Sequence, residues 1–178
     1  TTDPVSFAVA SGALTDSSGN TNAVSESQFA FEAPNEDVFV FGVNAGGGEY
    51  IAADGSVYVA DTFGVGNSFA TGSAIAGTED DTLYQSETWN YNAFTYDIPL
   101  ENGTYRVDLH FAEIYGPLDQ PGERVFDVFV EGGLILNDFD IVAASGGQNT
   151  AYVHSQMVTI TDGDLTVMAD AVIENPKI

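Results

Sequence analysis

Residues 104–113 read TYRVDLHFAE, and apolar side chains alternate with polar ones along them. Successive side chains of a β-strand point to opposite faces of its sheet, so this alternation predicts a strand with one buried face. The apolar face has four members and the polar face three: Tyr105, Val107, Leu109 and Phe111, against Arg106, Asp108 and His110. An amphipathic helix would instead repeat about every 3.6 residues, which this segment does not do.

Similar alternation recurs in other segments, which are rich in the Val, Ile, Phe, Tyr and Thr that strands prefer. The further predicted strands are residues 5–10, 37–43, 56–60, 93–98, 124–131, 151–160 and 164–172. Turn residues separate them, and we interpret Thr161–Asp164 as the turn of a tight hairpin. Many short strands with hardly any helical pattern predict an all-β fold, a β-sandwich of jelly-roll type.

The 178 residues fit one domain with a short extension. Residues 1–36 are rich in Ser, Thr, Asn and Ala, and we interpret them as an N-terminal extension or linker with a candidate edge strand at 5–10. Residues 37–178 then form the sandwich. Within them, residues 61–82 predict a long Gly- and Asp-rich loop, and loops of that length are usually functional.

The charge balance excludes several classes of partner. The chain has 27 acidic residues and three basic ones, a formal net charge of −24. Nucleic acids and anionic membranes require clustered Lys and Arg, so neither is expected as a partner. Such a folded chain repels itself unless salt screens it, and at 1 M salt the Debye length is about 3 Å. We therefore predict a halophilic source and an acidic surface, with calcium binding as the alternative explanation.

The sequence does not point to catalysis. It contains no Cys, so thiolate metal sites and disulfides are excluded, and no apolar run is long enough to predict insertion into a membrane. With 27 acids, carboxylate pairs of the kind that glycosidases use arise by chance, and we predict that the protein is not an enzyme. His110 and Glu113 would lie on opposite faces of a strand, which argues against a shared metal. Calcium remains a candidate cofactor, because Glu79–Asp81 and residues 119–123 offer oxygen ligands.

Aromatic residues at predicted strand ends and in polar loops are a second group of candidates: Tyr58, Trp89, Tyr91 and Tyr115. Sugar rings present flat patches of C–H groups that pack on aromatic faces, while their hydroxyls need carboxylate and amide partners. The same amphipathic residues also cap hydrophobic cores with their polar ends in water. Composition alone leaves both interpretations open.

Several motifs, in order and with consistent spacing over about three-quarters of the chain, resemble the malectin family of carbohydrate-binding modules. They are Asn44-Ala45-Gly46-Gly47, Asp54-Gly55, residues 83–89 (LYQSETW), 94–99 (FTYDIP), 103–115 (GTYRVDLHFAEIY), 123–128 (ERVFDV) and 174–178 (ENPKI). The resemblance implies a β-sandwich that binds glucose-containing oligosaccharides or glucans at one end. It also implies structural roles inside the motifs. We expect some of Glu87, Asp97 and Glu113 to bond backbone groups or Arg124, and Asn44 to shape a turn.

By the same resemblance, Tyr58, Trp89 and Tyr115 would stack on the sugar and Glu174 would accept hydrogen bonds from its hydroxyls, with Asp61 as a further candidate ligand. Animal members of the family have Tyr where this chain has Trp89, and Asp where it has Glu174. They also have Phe where this chain has Gly116, so their disaccharide preference does not carry over. The expected setting is a larger secreted or cell-surface protein that binds an oligosaccharide or polysaccharide.

The chain also departs from the family at its end, because relatives continue past Asn-Pro-Lys-Ile with a final strand that this sequence lacks. Residues 5–10 are a candidate to fill that gap, within the chain or in a neighbour, by strand addition. This motivates an alternative function: a structural module of an extracellular filament or surface layer that self-assembles. Asn102-Gly103-Thr104 is an N-glycosylation sequon in a predicted turn.

Overall fold

The computed structural model describes residues 6–9, 17–18, 25–28 and 38–178. The chain divides into two compact units, Thr1–Val40 and Phe41–Ile178. In the first unit β1 (Ser6–Val9) pairs antiparallel with β2 (Ser25–Gln28). The position of β1 agrees with the strand predicted at 5–10, whereas β2 lies in the segment predicted as linker.

The second unit consists of short strands with two single-turn helices. Its elements are β3 (Val43–Asn44), β4 (Tyr50–Ile51), β5 (Val57–Ala60), β6 (Asn67–Ala70), α1 (Asp81–Tyr84), β7 (Ser86–Trp89), β8 (Ala93–Pro99), β9 (Gly103–Phe111), β10 (Val125–Val130), β11 (Gly133–Phe139), α2 (Ile141–Ser145), β12 (Tyr152–Ile160) and β13 (Asp164–Ile173). None of the helices in the described segments is long and apolar enough to cross a membrane.

Two layers of strands enclose the main core. One is a four-stranded sheet in the order β11-β10-β13-β8, and the other is the pair β12-β9. The predicted apolar faces of residues 104–113 and 124–131 are confirmed, because Leu109 and Phe111 of β9 and Phe126 and Val128 of β10 are all buried in one cluster. The all-β sandwich prediction is confirmed as well.

The hairpin predicted at Thr161–Asp164 is wrong. Strand β12 pairs with β9, while β13 pairs with β10 and β8, so the turn crosses from one layer to the other. The turn at residues 100–103 makes the same crossing between β8 and β9. The two crossings are joined by hydrogen bonds from Asn102 Nδ2 to Thr161 O (2.9 Å) and from Leu100 N to Gly163 O (2.9 Å). Turn residues alone do not distinguish a hairpin from such a crossing, because both reverse the chain within a few residues.

The strand predicted at residues 37–43 is also wrong over most of its length. Only Val43 joins a strand, the two-residue β3, which pairs parallel with β5. Residues 38–42 lie outside any strand, and their four large apolar side chains are exposed. Alternation makes a segment compatible with a sheet, but a strand also needs a neighbour for its backbone hydrogen bonds, and sequence patterning does not supply one.

In the second unit, strands β4, β6, β7 and β11 were not predicted. β6 lies inside the segment predicted as the loop 61–82, where it pairs with β7. These two strands and β3, β4 and β5 form small ladders beside a second apolar cluster, centred on Ile75, Leu83 and Tyr84. Most of the predicted ligand residues lie on or next to these small ladders.

Candidate functional site

Four buried charged residues form an ion network: Glu87, Glu113, Arg124 and Lys177. Arg124 Nε donates to Glu113 Oε2 (2.7 Å), and Lys177 Nζ donates to Glu113 Oε1 (2.9 Å) and to Glu87 Oε2. Two acids and two bases balance each other, as buried charges require. The chain has only three basic residues, so two of its three positive side chains lie in this network.

The network confirms the structural role predicted for Glu113 and shows one for Glu87. Burial raises the pKa of Glu87 above its ordinary value, although the Lys177 ammonium lowers it in part. The third base, Arg106, pairs with Asp108 at 3.1 Å on the more exposed face of β9. Asp97 accepts a hydrogen bond from Thr166 Oγ1 (3.2 Å), which links β8 to β13.

The ion network holds the backbone around three of the predicted ligands. The N–H of Tyr115 donates to Glu113 Oε1 (3.0 Å). Trp89, at the end of β7, is bridged in antiparallel fashion to Lys177. A buried carboxylate therefore holds the backbone at Tyr115, and a backbone bridge to a residue of the network holds it at Trp89.

Glu174 is held in the same way. Arg124 Nη1 donates to the carbonyl of Asn175, the residue after it. Glu174 itself has a φ of 60°, in the left-handed region that is uncommon for residues other than Gly, Asn and Asp. Its side chain is exposed, with a contact of 3.3 Å between Asn175 N and Glu174 Oε2. A strained backbone that the surrounding structure enforces is often found at binding sites.

The ladder of β6 and β7 relates Trp89 to Tyr115. Asn67 lies opposite Trp89 and Phe69 lies opposite Glu87. Because residues two apart on a strand share a face, Trp89 lies on the same face of the ladder as Phe69. The ring of Tyr115 packs edge-on against Phe69, with centroids 5.6 Å apart, and Tyr115 is 43% exposed.

Gly116 follows Tyr115 in a loop that Gln148 holds by donating to the carbonyls of Tyr115 (2.9 Å), Gly116 (3.2 Å) and Leu118 (3.2 Å). A Cβ atom at Gly116 would meet no atom within 4 Å. Local packing therefore leaves space for a side chain at the position where animal relatives carry Phe.

Tyr58 lies on β5, half-buried against the second apolar cluster. Its ring meets His110 edge-on with centroids 6.0 Å apart, and His110 Nδ1 is 2.8 Å from Tyr84 Oη. Burial lowers the pKa of His110 below its ordinary value, although the carboxylates of Asp108 and Asp80 act in the opposite direction. His110 thus contacts Tyr58 edge-on and shares a hydrogen bond with Tyr84.

Asp61 lies at the centre of a different network. Its Oδ2 accepts hydrogen bonds from Gly46 N (2.9 Å), Thr88 Oγ1 (2.7 Å) and Tyr96 Oη (2.6 Å), and its Oδ1 accepts from Phe63 N (3.1 Å). Burial alone would raise the pKa of this carboxyl, but these four donors outweigh it and lower the pKa. The carboxylate therefore ties loops together, and its predicted contact with sugar stays a prediction.

The turn that precedes β4 shows why its motif contains glycines. A Cβ at Gly46 would lie 2.1 Å from the carbonyl oxygen of Glu87, and its φ is +66°. Asn44 Nδ2 donates to Gly48 O (2.8 Å), which confirms the turn-shaping role predicted for Asn44.

No group of three or more His, Cys, Asp or Glu side chains that could hold a metal occurs among the described residues. In the candidate calcium segment Glu79–Asp81, Asp80 Oδ1 already accepts from Tyr50 Oη (2.8 Å) and Ala53 N (2.8 Å). His110 and Glu113 have separate partners and do not converge. Calcium binding stays a prediction.

Sequence reasoning missed two features of this region. It did not identify Lys177 as the cation between two acids, because Glu87 and Lys177 are 90 positions apart. It named Tyr91 as an aromatic in a polar loop but assigned it no role, although its ring packs against Trp89. The sequence did contain a signal for the contact between the two rings, because Trp89 and Tyr91 are only two positions apart.

Comparisons with known sequences identify the domain. The sequence model of the malectin domain matches residues 39–178. Malectin-A of Xenopus laevis is 35% identical over 141 residues, covering 75% of this chain and 50% of that protein. Malectin of Homo sapiens is 32% identical over 138 residues, covering 74% of this chain and 46% of that protein. The chain spans about half the length of these curated relatives.

Solved structures share the fold at low sequence identity. The extracellular domain of ANXUR1 from Arabidopsis thaliana superimposes with a TM-score of 0.63 at 16% identity, covering 77% of this chain and 45% of that one. A β-glucuronidase of Bacteroides uniformis gives a TM-score of 0.66 at 15% identity, covering 91% of this chain but 20% of that one. At these identities the likeness concerns the fold alone.

Proposed function

The chain belongs to the malectin domain family, and on that premise we propose that it is a non-catalytic module that binds glucans or glucose-containing oligosaccharides. Carbohydrate binding is the general role of this family. The finer points, which are the glucose-based ligand, the residues that contact it and the extracellular setting, are proposals for this chain.

The observation that carries the proposal is that the backbone at Trp89, at Tyr115 and next to Glu174 is held by residues of one buried ion network. Sugar binding needs aromatic faces for C–H groups and a carboxylate for hydroxyls, all held before the ligand arrives. Backbone segments that are already held in place lose less conformational entropy on binding. Tyr58 would contribute a third aromatic surface from β5.

Within this arrangement Asp61 acts by positioning. Its bonds to Gly46 N and Thr88 Oγ1 connect the turn before β4 to the strand that ends at Trp89. We assign the direct polar contact to Glu174, which is exposed, whereas both oxygens of Asp61 already accept hydrogen bonds.

Isothermal titration calorimetry in molar salt tests the proposal. Open, solvated sugar sites have affinities between about 1 mM and 1 μM, or about −4 to −8 kcal/mol. Trp89→Ala and Tyr115→Ala should each weaken glucan binding, because each removes a stacking surface. The matched control is Met157→Ala, which removes a side chain that is 60% exposed and lies opposite Arg106 on the β9–β12 pair. Equal binding by the wild type and both aromatic variants would refute this site.

Catalysis is not part of the proposal. The likeness to a glucuronidase covers only 20% of that protein at 15% identity, and it therefore concerns the shared fold. The self-assembling surface-layer function is not favoured by family membership, because the relatives share a carbohydrate-binding domain.

We also propose an extracellular or cell-surface location; the ANXUR1 extracellular domain shares the fold of this chain. A halophilic source fits the net charge of −24, since only concentrated salt screens such a surface effectively. In this proposal the acidic surface adapts the protein to concentrated salt. Ligand binding depends instead on a few residues at one end of the sandwich.

A further inference from the structure

Tyr91 lies beside Trp89 with a ring turned almost perpendicular to it. The ring centroids are 5.3 Å apart and the planes meet at 82°. Tyr91 is 70% exposed, compared with 43% for Tyr115. Its hydroxyl makes no hydrogen bond within the described part of the chain, so both the ring and the hydroxyl are available to a ligand.

The turn that carries Tyr91 is anchored on both sides. Before it, Asn90 N donates to Pro176 O (3.4 Å) and Asn90 Nδ2 donates to Val65 O (3.3 Å). The N–H of Tyr91 itself donates to Asn90 Oδ1 (2.8 Å). After it, the carbonyl of Asn92 accepts from Ala171 N (2.8 Å). An exposed aromatic on a turn anchored this way can bind without a large loss of backbone entropy.

The same hydrogen bonds place the turn next to Glu174. Ala171 and Pro176, which flank Glu174 in the sequence, bond to Asn92 and Asn90 on either side of Tyr91. Tyr91 therefore extends the group formed by Trp89 and Glu174.

We propose that Tyr91 is a second stacking surface, so that Trp89 and Tyr91 together bind two adjacent sugar rings of one glycan. This inference rests on the proposed function and adds to it a specificity-determining residue. The two rings are close enough for one glycan to reach both, because their centroids are 5.3 Å apart.

The angle between the two rings selects the shape of the glycan. A ligand that stacks on both planes at once must turn sharply between its two sugars, because the planes meet at 82°. A flat β-1,4-linked glucan keeps its rings nearly coplanar and can cover only one of the two surfaces. The site therefore favours bent linkages in chains of two or more sugars.

Fluorescence measures binding at this site directly, because Trp89 is the only tryptophan of the chain. We would titrate the wild type, Tyr91→Ala, Tyr91→Phe, Trp89→Ala and the control Met157→Ala with glucose, maltotetraose and cellotetraose in molar salt. Calorimetry replaces fluorescence for Trp89→Ala, which has no emitting group.

One aromatic contact corresponds to roughly a three- to tenfold change in affinity. We expect Tyr91→Ala to weaken maltotetraose by that factor, to leave glucose unchanged, and to abolish the preference for maltotetraose over cellotetraose. Tyr91→Phe should retain most of the affinity, since it keeps the ring.

The outcomes separate the two proposals. If Trp89→Ala loses binding while Tyr91→Ala binds maltotetraose as the wild type does, the inference about Tyr91 is overturned and the proposed function stands. If the wild type binds neither tetrasaccharide, glucan binding is refuted and the inference falls with it. A wild type that binds cellotetraose more tightly than maltotetraose would overturn the selection for bent glycans.

Discussion

Substitution of Lys177 by Met removes the cation that lies between Glu87 and Glu113. Lys177 Nζ bonds to both carboxylates, and its side chain is 1% exposed. Met has a similar length and no charge, so the variant removes the ammonium with little change in volume. Glu113 keeps Arg124 Nε at 2.7 Å and the N–H of Tyr115, whereas Glu87 is left buried without its cation.

The expected loss of stability follows from this asymmetry. Removing one partner of a buried ion pair costs about 3–5 kcal/mol, because the other charge stays uncompensated. For a chain of this size each kcal/mol lowers the melting temperature by about 2–4 °C, so Tm should fall by roughly 6–20 °C. Arg106→Met, at the partly exposed pair with Asp108, is the matched control and should lose only about 0.2–1 kcal/mol.

Equilibrium unfolding in urea, with calorimetric melts alongside, measures the loss. The pH dependence gives a second test of the cause. Burial raises the pKa of Glu87, and a raised folded-state pKa means that stability is greatest below the unfolded value and declines as the pH rises through the folded one. Without Lys177 that pKa should rise further, so the deficit of the variant should shrink as the pH falls toward about 4.3.

The double variant Glu87→Leu/Lys177→Met should recover most of the loss, because an apolar pair of similar volume needs no compensating charge. Two results would refute the reasoning. One is a Lys177→Met protein within about 1 kcal/mol of the wild type, since a broken buried pair should cost several times more. The other is a double variant no more stable than the single one.

Three further predictions concern pH, ligand and salt. The folded-state pKa of His110 is lowered, so its contribution to the stability of the fold is present above about pH 6.5 and is lost on acidification. When the pH falls from about 8 to about 5, thermal melts of the wild type should therefore lose more stability than those of His110→Asn. Parallel curves of Tm against pH would contradict this. Gly116→Phe should tighten glucan binding roughly three- to tenfold in calorimetry, because it adds an aromatic surface. Gly116→Ala should leave the affinity unchanged, because a Cβ at this position meets no atom within 4 Å. Equal affinities of the wild type and Gly116→Phe would refute the prediction. Tm should be clearly higher in molar KCl than in low salt, since salt screens the charge of −24; equal midpoints would refute the halophilic proposal.

Much of the strand layout was predictable because the two-residue period is a local property of the chain. The faces of β9 and β10 were predicted correctly since burial on a sheet requires that alternation. The same rule wrongly predicted a strand at residues 38–42, because alternation does not provide a partner strand. The turn at Thr161–Asp164 failed because turn residues specify a reversal and leave open which layer the chain enters next.

The order of the motifs was enough to identify the candidate ligand residues, but it did not predict which groups surround them. Asp61 shows the difference: its residue type suited a sugar contact, but three donors from distant positions and the N–H of nearby Phe63 engage both of its oxygens. The contact of Tyr91 with Trp89 depends on a turn that is held by Pro176 and Ala171.

By itself the sequence determined the all-β class, the inward faces of the long strands, the family and the severe excess of negative charge. Tertiary structure decided which of the few cations balance which buried acids, and which aromatic rings meet at what angle. The physical reason is range: strand periodicity and net charge are properties of neighbouring residues or of composition, whereas Lys177 reaches Glu87 across 90 positions. Such a pairing exists only once packing has removed both groups from water.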